Sequence, residues 1–301
     1  MAEAVGGTAG AADENPTQTP TIEVHEDGLG VKSLGLRTPE GEQREVGVIN
    51  WGNTVMIDTG GCEESFTIID GNVEVVIPSS GRGEGTKIYG RGSEIKLPAN
   101  KKEIMIKPLY SAPVAYMRGR GQGHERRVTI FPGRTPSGEV PVNDYGSNLK
   151  SLGYIVGERI DGKYQEVDAT VGVLNPGNPF MASTTREEHV TVLSGKLRVT
   201  VESGESRVIQ TQETIILPAN TQNIQLEAMN GHQVAYRCLY IGPRVEDTAG
   251  TGDTAVNEPA NEGTPEAAAP EAVVAGIAAA AAAIRPEEVA RGEAPEEALT
   301  A

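Results

Sequence analysis

Residues 187–200 read EEHVTVLSGKLRVT, and residues 63–76 read EESFTIIDGNVEVV. Each is a pair of β-branched and aliphatic runs broken by a turn dipeptide, Ser194-Gly195 in one and Asp70-Gly71 in the other, which is a strong signal for a β-hairpin. Alternation with a period of two puts Glu188, Val190 and Val192 on one face of the first strand, and Glu64, Phe66 and Ile68 on the matching face of its counterpart. Working outward, the correspondences keep their order. Lys32-Ser33-Leu34-Gly35 returns as Lys150-Ser151-Leu152-Gly153, and Val46-Gly47-Val48 with Asn50 returns as Val171-Gly172-Val173 with Asn175. Leu97-Pro98-Ala99-Asn100 returns as Leu217-Pro218-Ala219-Asn220, and Val114-Ala115-Tyr116 as Val234-Ala235-Tyr236. A repeat of this kind defines the domain count before any element is assigned. It predicts two modules, 28–119 and 147–243, joined by a linker over 120–146. Helical periodicity is absent between residues 28 and 243. Short strands ended by Gly or by Pro-Ala-Asn predict an all-β chain whose modules are small antiparallel barrels or jelly rolls.

The formal net charge of −16 is carried almost wholly by the ends. Residues 1–27 and 244–301 account for −6 and −9, which leaves a middle near −1. Both ends are expected to be disordered tails, acidic at the N-terminus and rich in Ala, Glu and Pro at the C-terminus, with at most an isolated helix over 271–285. An acidic whole argues against nucleic acid as a partner, although a near-neutral middle between acidic ends says mainly that the ends solvate and repel; no nucleic acid is expected. Two cysteines, Cys62 and Cys238, cannot make a disulfide framework and lack the spacing of a zinc site. No secretory signal opens the chain, and the apolar run Ala272 to Ile284 is too short to span a bilayer. A soluble, cytoplasmic protein without membrane contact is the expectation.

Candidate chemistry is sparse. Metal-binding cupins carry G-x5-H-x-H-x3/4-E-x6-G followed by P-x-G-x2-H, and only the carboxylate half is present, with Glu64 and Glu188 each seven residues before Gly71 and Gly195. Where the paired His would stand, the chain reads MIDTGG and FMASTT, and the third position holds Glu103 or Asn223. One carboxylate without imidazoles does not make a transition-metal site, so no cofactor is expected. His25 and His124 fall outside the modules, and His189 and His232 read as exposed or locally bonded. No nucleophile elbow surrounds a serine, Cys238 has no His partner in sequence, and the Gly-rich stretch 81–85 lacks the Lys-Ser/Thr of a phosphate loop. The pair Arg126-Arg127 reads as solvated linker charge.

The ordered set VKSLG, VGV, EE-x-x-x-V-L-S-G, LPAN and a closing Y-x-C-x-Y resembles the small cupin proteins of the pyrimidine/purine nucleoside phosphorylase family, here in tandem. The second copy matches better, with EEHVTVLSG and YRCLYIG against EESFTIIDG and YMRGRGQG. The resemblance implies two tandem cupin-type jelly-roll barrels packed as an intramolecular pseudo-dimer, with further association possible. It implies metal-free phosphorolysis of nucleosides to free base and pentose 1-phosphate, with inorganic phosphate as co-substrate. It places Glu188 and Arg237 as catalytic residues. Asn220, Tyr240 and Thr184 in the second copy, with Glu64 and Asn100 in the first, form the substrate-binding set. A carboxylate suits sugar hydroxyls or developing positive charge, and a guanidinium suits phosphate. Against these stand plainer readings, in which Glu188 pairs with an inward Arg, Asn220 serves its turn and Tyr240 packs. The family closes with Y-x-C-R-Y, whereas Arg237 stands two positions earlier, on the same strand face. A protein that keeps the barrel as a non-catalytic small-molecule binder or scaffold is the alternative.

Overall fold

The computed structural model describes residues 20–28, 30–38, 40–78, 85–120, 127–132 and 138–242. The first barrel runs β1 (Val24–Gly28), β2 (Val31–Arg37), β3 (Gln43–Ile49), β4 (Thr54–Ile57), β5 (Glu64–Asp70), β6 (Asn72–Ile77), β7 (Gly85–Gly90), β8 (Glu94–Leu97), β9 (Ile104–Pro108), β10 (Val114–Arg120) and β11 (Val128–Phe131). The second runs β12 (Val142–Asp144), β13 (Leu149–Ile160), β14 (Lys163–Leu174), β15 (Phe180–Ala182), β16 (Glu187–Ser194), β17 (Lys196–Thr200), β18 (Ser206–Gln210), β19 (Thr214–Leu217), β20 (Ile224–Ala228) and β21 (Val234–Ile241). The one helical element among the described residues is a 3-10 turn at Met229–Gly231, and no helix is long and apolar enough to cross a membrane.

Strand pairing defines the architecture. In barrel one, β3 pairs with β10, β4 with β9, β5 with β8 and β6 with β7, all antiparallel. In barrel two, β14 pairs with β21, β15 with β20, β16 with β19 and β17 with β18. Each is a long hairpin rolled so that successive strands alternate between two facing sheets, which is a jelly roll. The chain is therefore an all-β protein of two cupin-type barrels whose larger sheets share one strand order.

The barrels meet back to back through their larger sheets. Alternation along β21 sends Val234, Tyr236 and Cys238 into barrel two, and Ala235 and Leu239 into a core shared with barrel one. That shared core takes Leu34, Val46, Val48 and Ala115 from barrel one, and Leu152, Tyr154, Ala169, Val171 and Val173 from barrel two. The Val-Gly-Val motif follows from this arrangement. Its valines face the interface, and its glycine faces inward beneath a tyrosine of the closing strand, Gly47 under Tyr116 and Gly172 under Tyr236. A Cβ on either glycine would lie 2.5 Å from the tyrosine hydroxyl.

Two boundaries differ from the sequence reading. Residues 24–27 belong to β1, and Ile22 is buried in the shared core. The linker likewise contains β11, on the edge of β4, and β12, on the edge of β13, with Val140 buried as Ile22 is. Each module thus gains an N-terminal strand, whose short polar sequence carries little β signal and which forms because an edge is there to receive it. Residues 1–19 and 243–301, with the acidic tail ends, the 271–285 helix and most of the 79–85 loop, lie outside the described residues, as do His124 and Arg126.

Candidate functional site

Barrel two encloses a cavity of ≈ 510 Å³, inside the size range of small-molecule sites. Its wall is built from both sheets and includes Thr184, Glu188, Val190, Tyr236, Cys238 and Tyr240, with Phe180 and the half-exposed Tyr145 in edge contact at 5.4 Å. Glu188 is the second residue of β16, opposite Tyr240 on β21 and Leu217 on β19. The hydrogen bond that its carboxylate accepts comes from the Cys238 thiol, 3.5 Å from Oε2. Burial pushes the Glu188 carboxyl above the usual glutamate range, against the Cys238 hydrogen bond and the charge of Arg186. Burial, reinforced by Glu188, also holds the Cys238 thiol far above its ordinary value, so the sulfur stays protonated and donates. The Tyr240 hydroxyl is raised by burial too and sits 3.4 Å from Thr170 Oγ1. Among the described residues, no Lys or Arg lines this cavity. The cation beside it is Arg186, whose guanidinium lies 5.1 Å over the Tyr240 ring and pairs with Asp168 at 3.0 Å.

Barrel one treats the same positions differently. Glu64 is buried and pairs with Arg118, whose Nε and Nη2 lie 2.7 and 2.6 Å from Oε2. Arg118 is 0 % exposed, lies 3.6 Å from Glu45, and stands where barrel two has Cys238. Phe66 stacks on Tyr116 at 4.6 Å and 13°. The inward arginine considered for Glu188 is thus present at Glu64, which is already occupied.

The structure brings Glu188, Tyr240 and Thr184 to one cavity and places the other expected residues elsewhere. Arg237 is the main correction. It is 4 % exposed on the interface face of β21, donating from Nε and Nη2 to Asp70 at 2.6 and 2.7 Å and to Glu158 at 3.0 Å. Strand parity correctly keeps it on the face of Leu239, but that face is covered by barrel one and does not look into the cavity. Asn220 and Asn100 are exposed turn residues with φ of 60° and 57°, a left-handed conformation that Asn tolerates. Thr184 lines the cavity, yet its hydroxyl donates to the Pro218 carbonyl at 2.6 Å and accepts the Thr221 N–H at 3.0 Å. Thr59 makes the same clamp to Pro98 and Lys101 in barrel one. His189 is bonded to Glu187 at 2.7 Å. Sequence reasoning missed Arg186, although it stands two positions before Glu188 and so shares its parity. It also missed Tyr145 and Phe180, which sparse aromatic content made easy to overlook. Among the described residues, no three His, Cys, Asp or Glu side chains stand together as a metal-ligand group.

The fold and the cavity define a two-barrel cupin with one open and one filled interior. Residues 154–240, nearly all of barrel two, match the model of the family described as pyrimidine/purine nucleoside phosphorylase. Similar solved structures include Bacillus subtilis oxalate decarboxylase at pH 4.6, with 12% identity over 75% of this chain and 77% of that one at a TM-score of 0.35. A mutant of the same enzyme shows 13% identity over 75% and 78%, at a TM-score of 0.36. No curated protein matches the sequence.

Proposed function

We propose that barrel two binds a nucleoside in its cavity and splits it with inorganic phosphate, without a metal, and that barrel one is a structural partner. The observation that carries this reading is Glu188, a half-buried carboxylate facing open space in the module that the family model matches, while its twin Glu64 is neutralised by Arg118. A desolvated carboxylate favours a ligand that brings it N–H or O–H donors. In the phosphorolysis a phosphate oxygen bonds to C1′, the C1′–N bond breaks, and its electron pair leaves with the base, which takes up a proton. Aromatic walls at Tyr236, Tyr240 and Phe180 suit a flat base. Arg186, at the Tyr240 wall, is the seat proposed for phosphate in place of Arg237, because a guanidinium paired with one carboxylate at the rim keeps donors for an incoming anion.

The test is base release and pentose 1-phosphate formation by the purified protein on a nucleoside panel, with and without phosphate. Cys238→Arg reproduces the barrel-one pairing at Glu188 and is expected to abolish turnover. Arg186→Met is expected to lower kcat/KM on the order of 10²- to 10³-fold. Parental rates in Cys238→Arg would place the reaction elsewhere, and ligand binding without base release would favour the non-catalytic binder.

A further inference from the structure

Barrel one contains, in its own side chains, a filled version of the space that barrel two leaves open. Arg118 brings the N–C–N edge of a guanidinium to Glu64, with Nε and Nη2 converging on one carboxylate oxygen at 2.7 and 2.6 Å. Beside it, the flat ring of Phe66 lies parallel to Tyr116 at 4.6 Å. In barrel two the carboxylate and the tyrosine remain, as Glu188 and Tyr236, while both filling groups are cut back. Cys238 stands for Arg118 and Val190 for Phe66, and these two residues are register partners in their barrel as the other two are in theirs. Thr170 stands for Glu45, so the second acceptor that neighbours the Arg118 guanidinium is lost with it. What was removed is an aromatic plane and a guanidine edge, and all of Glu188, Val190, Tyr236 and Cys238 line the resulting cavity.

We infer that the cavity of barrel two takes a guanine base, with its ring on Tyr236 and its N1–H and N2–H donors on Glu188. Guanine fits because its N1–C2–N2 edge is chemically a guanidine fused to an aromatic plane, which joins in one ligand what Arg118 and Phe66 supply separately. Hypoxanthine lacks the exocyclic donor, and adenine and cytosine each pair an amino donor with a ring acceptor that would face the carboxylate lone pairs. The inference rests on the reading of barrel two as a nucleoside site and names which nucleoside that site selects.

Calorimetric titration without phosphate separates the two claims. Guanosine is expected to bind about 10- to 100-fold more tightly than inosine, the range of one hydrogen bond to a charged group. Deoxyguanosine should bind within a few-fold of guanosine. Glu188→Gln, checked for folding by its melting temperature, should bring the guanosine-to-inosine ratio towards one, and Tyr236→Leu should weaken both ligands. Equal affinity for guanosine and inosine, or no binding of either, overturns the inference. So does a preference for ribosides over deoxyribosides whatever the base, which would assign Glu188 to the sugar diol. Selective guanosine binding without phosphate-dependent base release would leave the inference standing and remove the phosphorylase reading. Unselective cleavage of every nucleoside would do the reverse.

Discussion

Glu64 and Glu188 occupy the same position of the same motif, yet one is an internal counter-ion and the other a candidate binding group. The difference lies in a partner 54 residues away in the chain, Arg118 in one barrel, and its replacement by Cys238 in the other. Motif spacing predicts that the two carboxylates face inward, but not what they meet there. The raised carboxyl of Glu188 has a consequence for stability. A group whose pKa is raised by folding contributes fully only below its unfolded value, and that contribution is lost as pH rises through the folded one. Glu188→Gln should therefore melt slightly above the parent protein at neutral pH, by a few degrees at most, and the gap should close as pH falls below the ordinary glutamate range. Thermal melts across pH check this, and a variant less stable than the parent at neutral pH would show that the carboxylate is anchored by the protein. Activity lost together with stability gained is the signature of a site group held at some cost to the fold.

At the scale of single elements, the local chemistry of the repeats was largely legible. The Gly71 and Gly195 turns have φ of 85° and 90°, and a side chain at Gly71 would meet the Pro113 carbonyl at 2.6 Å, so these glycines serve hairpins whether or not any ligand binds. The LPAN segments are turns clamped by Thr59 and Thr184, which is why Asn100 and Asn220 end at the surface. The Val-Gly-Val strand allows a sharper test. Gly172→Ala forces Tyr236 to move and should cost about 1–3 kcal/mol by overpacking, read from denaturant melts. Gly47→Ala should cost a similar amount through Tyr116. Because Tyr236 walls the barrel-two cavity, the first substitution should also change ligand affinity, whereas the second should leave it unchanged.

On the scale of the whole molecule, the two barrels are joined by a shared apolar core and a charged network at one end of it. Asp70 of barrel one is wholly buried and accepts hydrogen bonds from Arg237 and Tyr154 of barrel two. Glu158 accepts from Arg237 and from Arg91 of barrel one, the latter at 2.8 and 2.9 Å. Arg237→Met leaves the buried Asp70 carboxylate with Tyr154 and, at 3.5 Å, Arg91 as partners and should cost about 3–5 kcal/mol, whereas Arg91→Met, at a half-exposed side chain, should cost about 1 kcal/mol or less. Asp70→Asn combined with Arg237→Met should be less damaging than the sum of the single changes. Additive costs in that cycle would show that the pair does not couple the barrels. Burial works against ionisation of Glu158, but Arg91 and Arg237 outweigh it and hold its pKa below the usual range. Its contribution is then present above the unfolded value and lost as pH falls through the folded one, so acid should loosen the interface and Glu158→Gln should flatten that dependence.

The sequence by itself determined the repeat, the strands, the turns and which residues share a face, because these follow from pleat alternation and from backbone preferences within a few residues. The tertiary structure alone decided which face looks into a barrel and which into the partner barrel, because parity says nothing about what covers a face. It also decided that Arg237 holds the barrels together, and that the space beside Glu188 is open where the space beside Glu64 is filled, because side-chain volume matters only against neighbours brought in from distant strands.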